Sequence, residues 1–130
     1  MKRVATFAIL LAICANAGVQ PSWIQVKGGA WDPSEQLIAE VRSHIQEYVT
    51  SEANRTGTNL EPWDSYQFQF RGQLDGKKRV IFINGFCHTF GDERLEEGLL
   101  LVFDGGPCYF NLLYDSETKK FRSLMFNGYA

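Results

Sequence analysis

His88 stands beside Cys87, with Asp92 and Asp104 further along, so an imidazole–carboxylate pair for acid–base work lies within the chain's repertoire. Such a dyad would make a small hydrolase using His88. Two histidines among fifteen acids also meet by chance, and no serine-nucleophile elbow, HExxH pair or phosphate-binding glycine loop accompanies them. His44 falls beside the apolar stripe of a helix and reads as a boundary residue. The charges of Asp92, Glu93, Arg94, Glu96 and Glu97 lack the spacing of a calcium loop and read as a solvated turn. Asp104-Gly105-Gly106 has the small residues of a phosphate cradle, yet the following Pro107-Cys108 favours a bulge or sharp turn. No catalytic residue, metal or other cofactor is therefore expected, and the expected class is a non-enzymatic domain.

The cysteines bear on the compartment. Cys14 lies in an N-terminal segment with every part of a signal peptide: basic Lys2 and Arg3, an apolar run from Val4 to Ile13, and the small residues Ala15-Asn16-Ala17. The run is shorter than the ~20 apolar residues that span a bilayer. Cleavage after residue 17 would leave a single domain, 18–130, exported to the periplasm or the extracellular space. Cys87 and Cys108 then remain as an even pair in an oxidising compartment, and a disulfide between them is expected. It would close a loop of about twenty residues, worth roughly 3 kcal/mol in the chain-entropy model. The signal takes two of thirteen basic residues and none of fifteen acids, leaving a net charge of −4. That balance argues against nucleic acid and anionic lipid as partners. No second apolar stretch of membrane length follows, so no membrane association is expected after cleavage.

The elements that must position any site follow from periodicity. Ile24 and Val26 hint at a short strand before Gly28-Gly29. Asp32 is placed to cap a helix, with Pro33 at its first position and Glu35 completing a capping box. Leu37, Ile38, Val41, Ile45, Tyr48 and Val49 recur at helical spacing over about five turns or more, ending before Gly57. Asn54 to Asp64 reads as a loop. From Tyr66 to Leu74 the period becomes two, and Asp75-Gly76 is the preferred hairpin turn. Further strands are expected from about Lys78 to Cys87, from Cys108 to Tyr114 and from Phe121 to Phe126. The apolar run Leu99 to Phe103 is expected to add another strand or to cover an edge. The fold class is α+β: one long helix packed on a four- to five-stranded antiparallel sheet.

A turn at Asp75-Gly76 pairs Phe70 with Ile81, and pairing Cys87 with Cys108 sets Ile83 against Leu112. One face then collects Tyr66, Phe68, Phe70, Ile81, Ile83, Phe110, Leu112 and Tyr114. The opposite face carries Gln67, Gln69, Phe82, Asn84, Phe86, Tyr109 and Asn111, with Leu124 and Phe126 placed nearby. Amides supply donors and acceptors and rings supply flat apolar area, which suits a protein, peptide or glycan partner. The rival expectation is that a tryptophan or the acidic loop covers this face, or that it joins two copies in a homodimer.

An N-terminal segment with Gly28-Gly29, one long helix and an antiparallel meander resembles the cystatin-like fold. The stretch Ile38-Ala39-Glu40-Val41-Arg42 is similar to the start of a cystatin helix. That resemblance implies a cystatin-type inhibitor of cysteine proteases, with Gly28-Gly29 and the Asp75-Gly76 turn as a wedge. Gln69-Phe70-Arg71-Gly72 is one residue shorter than the Gln-x-Val-x-Gly motif of such inhibitors, and Pro62-Trp63 precedes the first long strand. The stretch from Val102 to Asn111, with the ending Phe126-Asn127-Gly128-Tyr129-Ala130, resembles small exported bacterial proteins and implies location and fold. The expectation carried forward is an exported binding or interaction module acting through the amide–aromatic face or the bridged loop.

Overall fold

In the computed structural model, residues 21–91 and 93–129 are described; the expected signal segment, 1–17, lies outside them. Helix α1 runs Glu35–Thr56 and buries Ile38, Val41, Ile45, Val49 and Ala53, three or four residues apart on one stripe. Its N-cap is Ser34, whose Oγ accepts from the Leu37 amide at 3.1 Å. Asp32, expected in that role, instead accepts from Gln25 Nε2 at 3.1 Å. Both residues are good caps, and the helix starts at the one nearer its apolar stripe. Gly57 closes the other end in the left-handed region, φ 69°.

Five strands follow the order β1-β2-β3-β4-β5: Trp23–Gln25, Gln67–Asp75, Lys78–Phe86, Tyr109–Asp115 and Lys120–Phe126. The last four form an antiparallel meander, but β1 pairs with β2 in parallel. The expected all-antiparallel sheet is corrected at this edge. A single helical pass between β1 and β2 returns the chain to the end from which it left, so the second strand runs the same way as the first.

The β2–β3 hairpin turns on Gly76-Lys77, with Asp75 opposite Lys78, rather than on Asp75-Gly76. Gly76, at φ 63°, thus takes the first central position, where a type II′ turn wants glycine. The shift moves each pairing by two residues, setting Phe70 against Ile83. Because strand faces repeat every two residues, the sides are unchanged. Between β3 and β4 the expected pairings hold: Ile83 with Leu112, Ile81 with Tyr114 and Asn84 with Asn111. Asp115 ends β4 by accepting from the Glu117 and Thr118 amides at 2.9 and 3.1 Å. Those bonds, the one from Thr118 first, hold its carboxyl below the usual range. Strand β5 slips in register opposite Asn111–Leu113 and contains Ser123 at φ 58°. That irregularity puts Leu124 and Phe126 against the helix-side core, not on the opposite face where they were expected, and leaves Met125 paired with Asn111.

The core lies between α1 and the inner sheet face. Phe68, Ile81, Ile83, Phe110, Leu112 and Tyr66 are each at most 1 % exposed. Each large apolar side chain so buried contributes roughly 1.5–3 kcal/mol. Trp63 seals one end, its ring 5.8, 5.4 and 6.4 Å from those of Tyr66, Phe68 and Phe110.

Tyr66 also ties loops together: its hydroxyl donates to the Pro107 carbonyl at 2.6 Å and accepts from the Glu61 amide at 3.2 Å. Burial is the main force raising its pKa, from 10.0 to about 12. A hydroxyl with a raised folded pKa stabilises fully below the unfolded value, and that contribution vanishes as pH climbs through the folded one. The unfolding midpoint should therefore fall between pH 10 and about pH 12. Tyr66→Phe should lose about 1–3 kcal/mol at neutral pH, since it strands two backbone groups, and should show a shallower alkaline decline. An equal alkaline slope in the variant would assign the decline to other tyrosines.

Candidate functional site

The outer sheet face and the segment between Cys87 and Cys108 form one unit. The two cysteines are disulfide-bonded, with Cα atoms 5.0 Å apart, and the Cys87 amide donates to the Cys108 carbonyl at 2.9 Å. Among the described residues of 88–107 there is no strand. The apolar run Leu99–Phe103, expected as a strand or an edge cover, instead lies over the sheet face.

Gln69 holds it there. This side chain is fully buried, and its amide uses its whole hydrogen-bonding capacity. Nε2 donates to the Leu95 and Gly98 carbonyls, both at 2.8 Å, while Oε1 accepts from the Leu100 amide at 2.8 Å and Asn84 Nδ2 at 3.0 Å. Asn84 Nδ2 donates in turn to the Leu100 carbonyl at 2.7 Å. Two neighbouring strand amides thus satisfy a loop backbone that has no ladder of its own. Below them, Phe86, Cys108 and Tyr109 form a second apolar cluster with Leu95, Leu100 and Val102 packed against it. Further out, the Lys27 amide donates to the Glu96 carbonyl at 2.9 Å, Lys27 Nζ pairs with Glu97 at 3.1 Å, and Asn127 Nδ2 donates to the Val102 and Asp104 carbonyls. The loop is pinned from Lys27 in the segment after β1, from β2 and β3, and from the residue after β5.

Between the two expectations for this face, the structure decides four positions in favour of covering. Gln69, Asn84, Phe86 and Tyr109 lie under the bridged loop at 0, 6, 0 and 7 % exposure. Burial, then the charges of Glu93 and Asp104, raises the Tyr109 hydroxyl pKa. Gln67, Phe82 and Asn111 stay half-buried on the same side. The three tryptophans that could have covered it, Trp23, Trp31 and Trp63, pack instead against the helix-side core.

The loop in turn displays side chains that pattern reading passed over. Leu100 and Val102 point into the cluster, while Leu101 and Phe103 stand at 63 and 96 % exposure. The available signal was a period of two inside an acidic loop. A strand is one way to satisfy that alternation, and a clamped irregular segment is another. Gly105 and Gly106, at φ 85° and 63°, then turn the chain into Pro107. A side chain at Gly105 would come within 2.6 Å of the Tyr109 ring, so these glycines serve the turn.

His88 is exposed, its ring edge-on to Phe90 at 5.3 Å, and it makes no ion pair among the described residues. Asp92, one of its expected partners, lies outside those residues. Glu93 accepts from the Gly91 and Phe90 amides. Among the described residues no three His, Cys, Asp or Glu side chains gather as a metal site, and no helix is long and apolar enough to cross a membrane. Gly28-Gly29 runs beside β2, where the Ala30 amide donates to the Gly72 carbonyl at 2.8 Å. This places the lead-in towards the Gly76-Lys77 turn, at the sheet end opposite the disulfide. No family model, curated protein or solved structure matches the chain.

Proposed function

We propose that this chain is an exported interaction module of cystatin-like build that engages a protein partner through the disulfide-bridged loop. The observation that carries the reading is Phe103: a phenylalanine 96 % exposed on a loop fixed by a disulfide and by the amides of Gln69, Asn84 and Asn127. An aromatic ring held in solvent by a pre-ordered backbone loses little entropy on docking, which is how interface anchors work. Leu101 stands exposed two residues away. The same loop carries Glu93, Glu96 and Asp104 against Arg94, with Glu97 engaged by Lys27. The matching surface is an apolar pocket with a basic rim. The acids also disfavour insertion into anionic lipid. The disulfide and the N-terminal signal pattern support the exported location.

A photo-crosslinking residue at position 103, used in the exported fraction of the source cell, should yield one adduct. Once purified, that partner should bind Phe103→Ala/Leu101→Ala roughly 30-fold more weakly, as expected for an anchor worth about 2 kcal/mol. Thermal unfolding of the variant should match the parent. Leu74→Ala, which removes an exposed apolar side chain near the hairpin turn, should leave binding unchanged. Equal affinity of parent and loop variant, or an adduct that is a second copy of the chain, would overturn the reading.

A further inference from the structure

On the helix side of the sheet, away from the bridged loop, α1 and the β4–β5 hairpin enclose a cleft of about 550 Å³. This lies within the ~300–1,000 Å³ range of small-molecule sites. Its floor is aromatic. Tyr48 and Phe121 stack with centroids 5.1 Å apart and planes 26° apart, and Tyr114 meets Phe121 edge-on at 4.8 Å. The rim sets Glu40 and Glu47 of α1 against Lys119 and Lys120 of the hairpin. Lys119 Nζ already pairs with Glu40 at 3.3 Å.

Tyr114 is the informative residue. It is 2 % exposed and lines the cleft, yet its hydroxyl bonds to no described residue. No fully buried side-chain polar atom lacks a partner among the described residues, so this hydroxyl keeps its remaining contact with the cleft. Burial, then the charge of Glu40, raises its pKa, so it stays protonated and able to donate. Tyr48 likewise contributes a hydroxyl with no partner among the described residues.

We infer that this cleft binds a neutral saccharide, its apolar C–H face against the aromatic wall that Tyr48 and Phe121 form and its hydroxyls meeting Tyr114, Glu47 and Lys120. The choice follows from elimination among ligand chemistries. A purely apolar ligand would displace water from the Tyr114 hydroxyl and leave it unpaired, at a cost. A ligand of either net charge would meet two like charges on the rim. A sugar has an apolar C–H face for the rings and hydroxyls that both donate to carboxylates and accept from ammoniums.

The test is an amide chemical-shift titration of the protein with maltose, cellobiose and N,N′-diacetylchitobiose, with arginine and glutamate as charged controls. At least one sugar should move the amides of Tyr48, Lys120 and Phe121 with a Kd of about 1 mM. Tyr114→Phe keeps the packed ring and removes only the hydroxyl. It should weaken that sugar roughly 2- to 10-fold, as loss of one hydrogen bond does, without lowering the unfolding midpoint. Glu47→Gln, at an exposed position, should weaken it as well, whereas Phe103→Ala should not. Three results would overturn the inference: no shift at those amides with any sugar, unchanged affinity in both Tyr114→Phe and Glu47→Gln, or tighter binding of a charged control.

Discussion

Gln69→Leu should destabilise the protein by roughly 3–5 kcal/mol, although leucine is close in size and the site is dry. The parent amide satisfies four partners at once: the carbonyls of Leu95 and Gly98, the amide of Leu100 and Asn84 Nδ2. Leucine satisfies none. Because the Gln69 backbone is held within β2, paired with Ile24 on β1 and Asn84 on β3, the sheet should survive and the loss should fall on the loop. Denaturant unfolding gives the magnitude, and hydrogen exchange at the Leu100 amide gives the location. In the parent that amide is tied to Gln69 Oε1 at 2.8 Å; in the variant it should exchange at least tenfold faster. A loss under about 1 kcal/mol, with the Leu100 amide still protected, would mean that apolar contact with Phe86 and Tyr109 alone seats the loop.

The second large effect is expected from Cys87→Ser/Cys108→Ser. The bridge spans a sequence separation of 21, for which the chain-entropy model gives about 3 kcal/mol. Cys108 is also part of the buried cluster with Phe86 and Tyr109, so two hydroxyls in its place add a desolvation cost. The variant should still fold as a sheet packed on its helix, with its thermal midpoint lowered by at least 10 °C on a rough conversion. Combined with Gln69→Leu, the losses should fall short of their sum, because both substitutions release the same loop and it can be released only once. Strict additivity in that double-mutant cycle would show that the bridge and the amide clamp act on separate elements.

The fold was legible where periodicity and turn chemistry agreed. The apolar stripe of α1, the alternation of β2 and the cysteine pair each had one physical solution. The β3–β4 register followed from Cys87 facing Cys108. The hairpin register slipped by two because two adjacent dipeptides could each form the turn, and a primed-turn preference does not say which central position Gly76 will take. The parallel β1 was hidden because a three-residue strand carries no direction in its composition. Leu124 and Phe126 were misplaced for a local reason: a left-handed Ser123 inverts the alternation, and serine gives no sign of it. The site was legible as chemistry but not as use. Gln69 and Asn84 stood out as amides on a sheet face. Whether they would meet a ligand or their own loop depends on where a strandless segment of about twenty residues lies, which no local period specifies. The cleft beside α1 was invisible for the same kind of reason, since Tyr48 and Tyr114 come from distant segments and each reads as ordinary core.

The slip in β5 and the brevity of β1 bear on how this protein behaves in a crowd. Both are outer strands, and an outer strand offers unpaired backbone groups to any extended chain nearby. At β1 that row is only three residues long. At β5 it is interrupted by Ser123 in the left-handed region, opposite the register slip, and Arg122 near the break pairs with Asp75. Neither rim offers a long, flat, regular row of the kind that seeds cross-strand growth. The protein can therefore carry several exposed apolar side chains, Phe103 on its loop and Met125 on its sheet among them, without presenting a continuous template for a neighbour's strands.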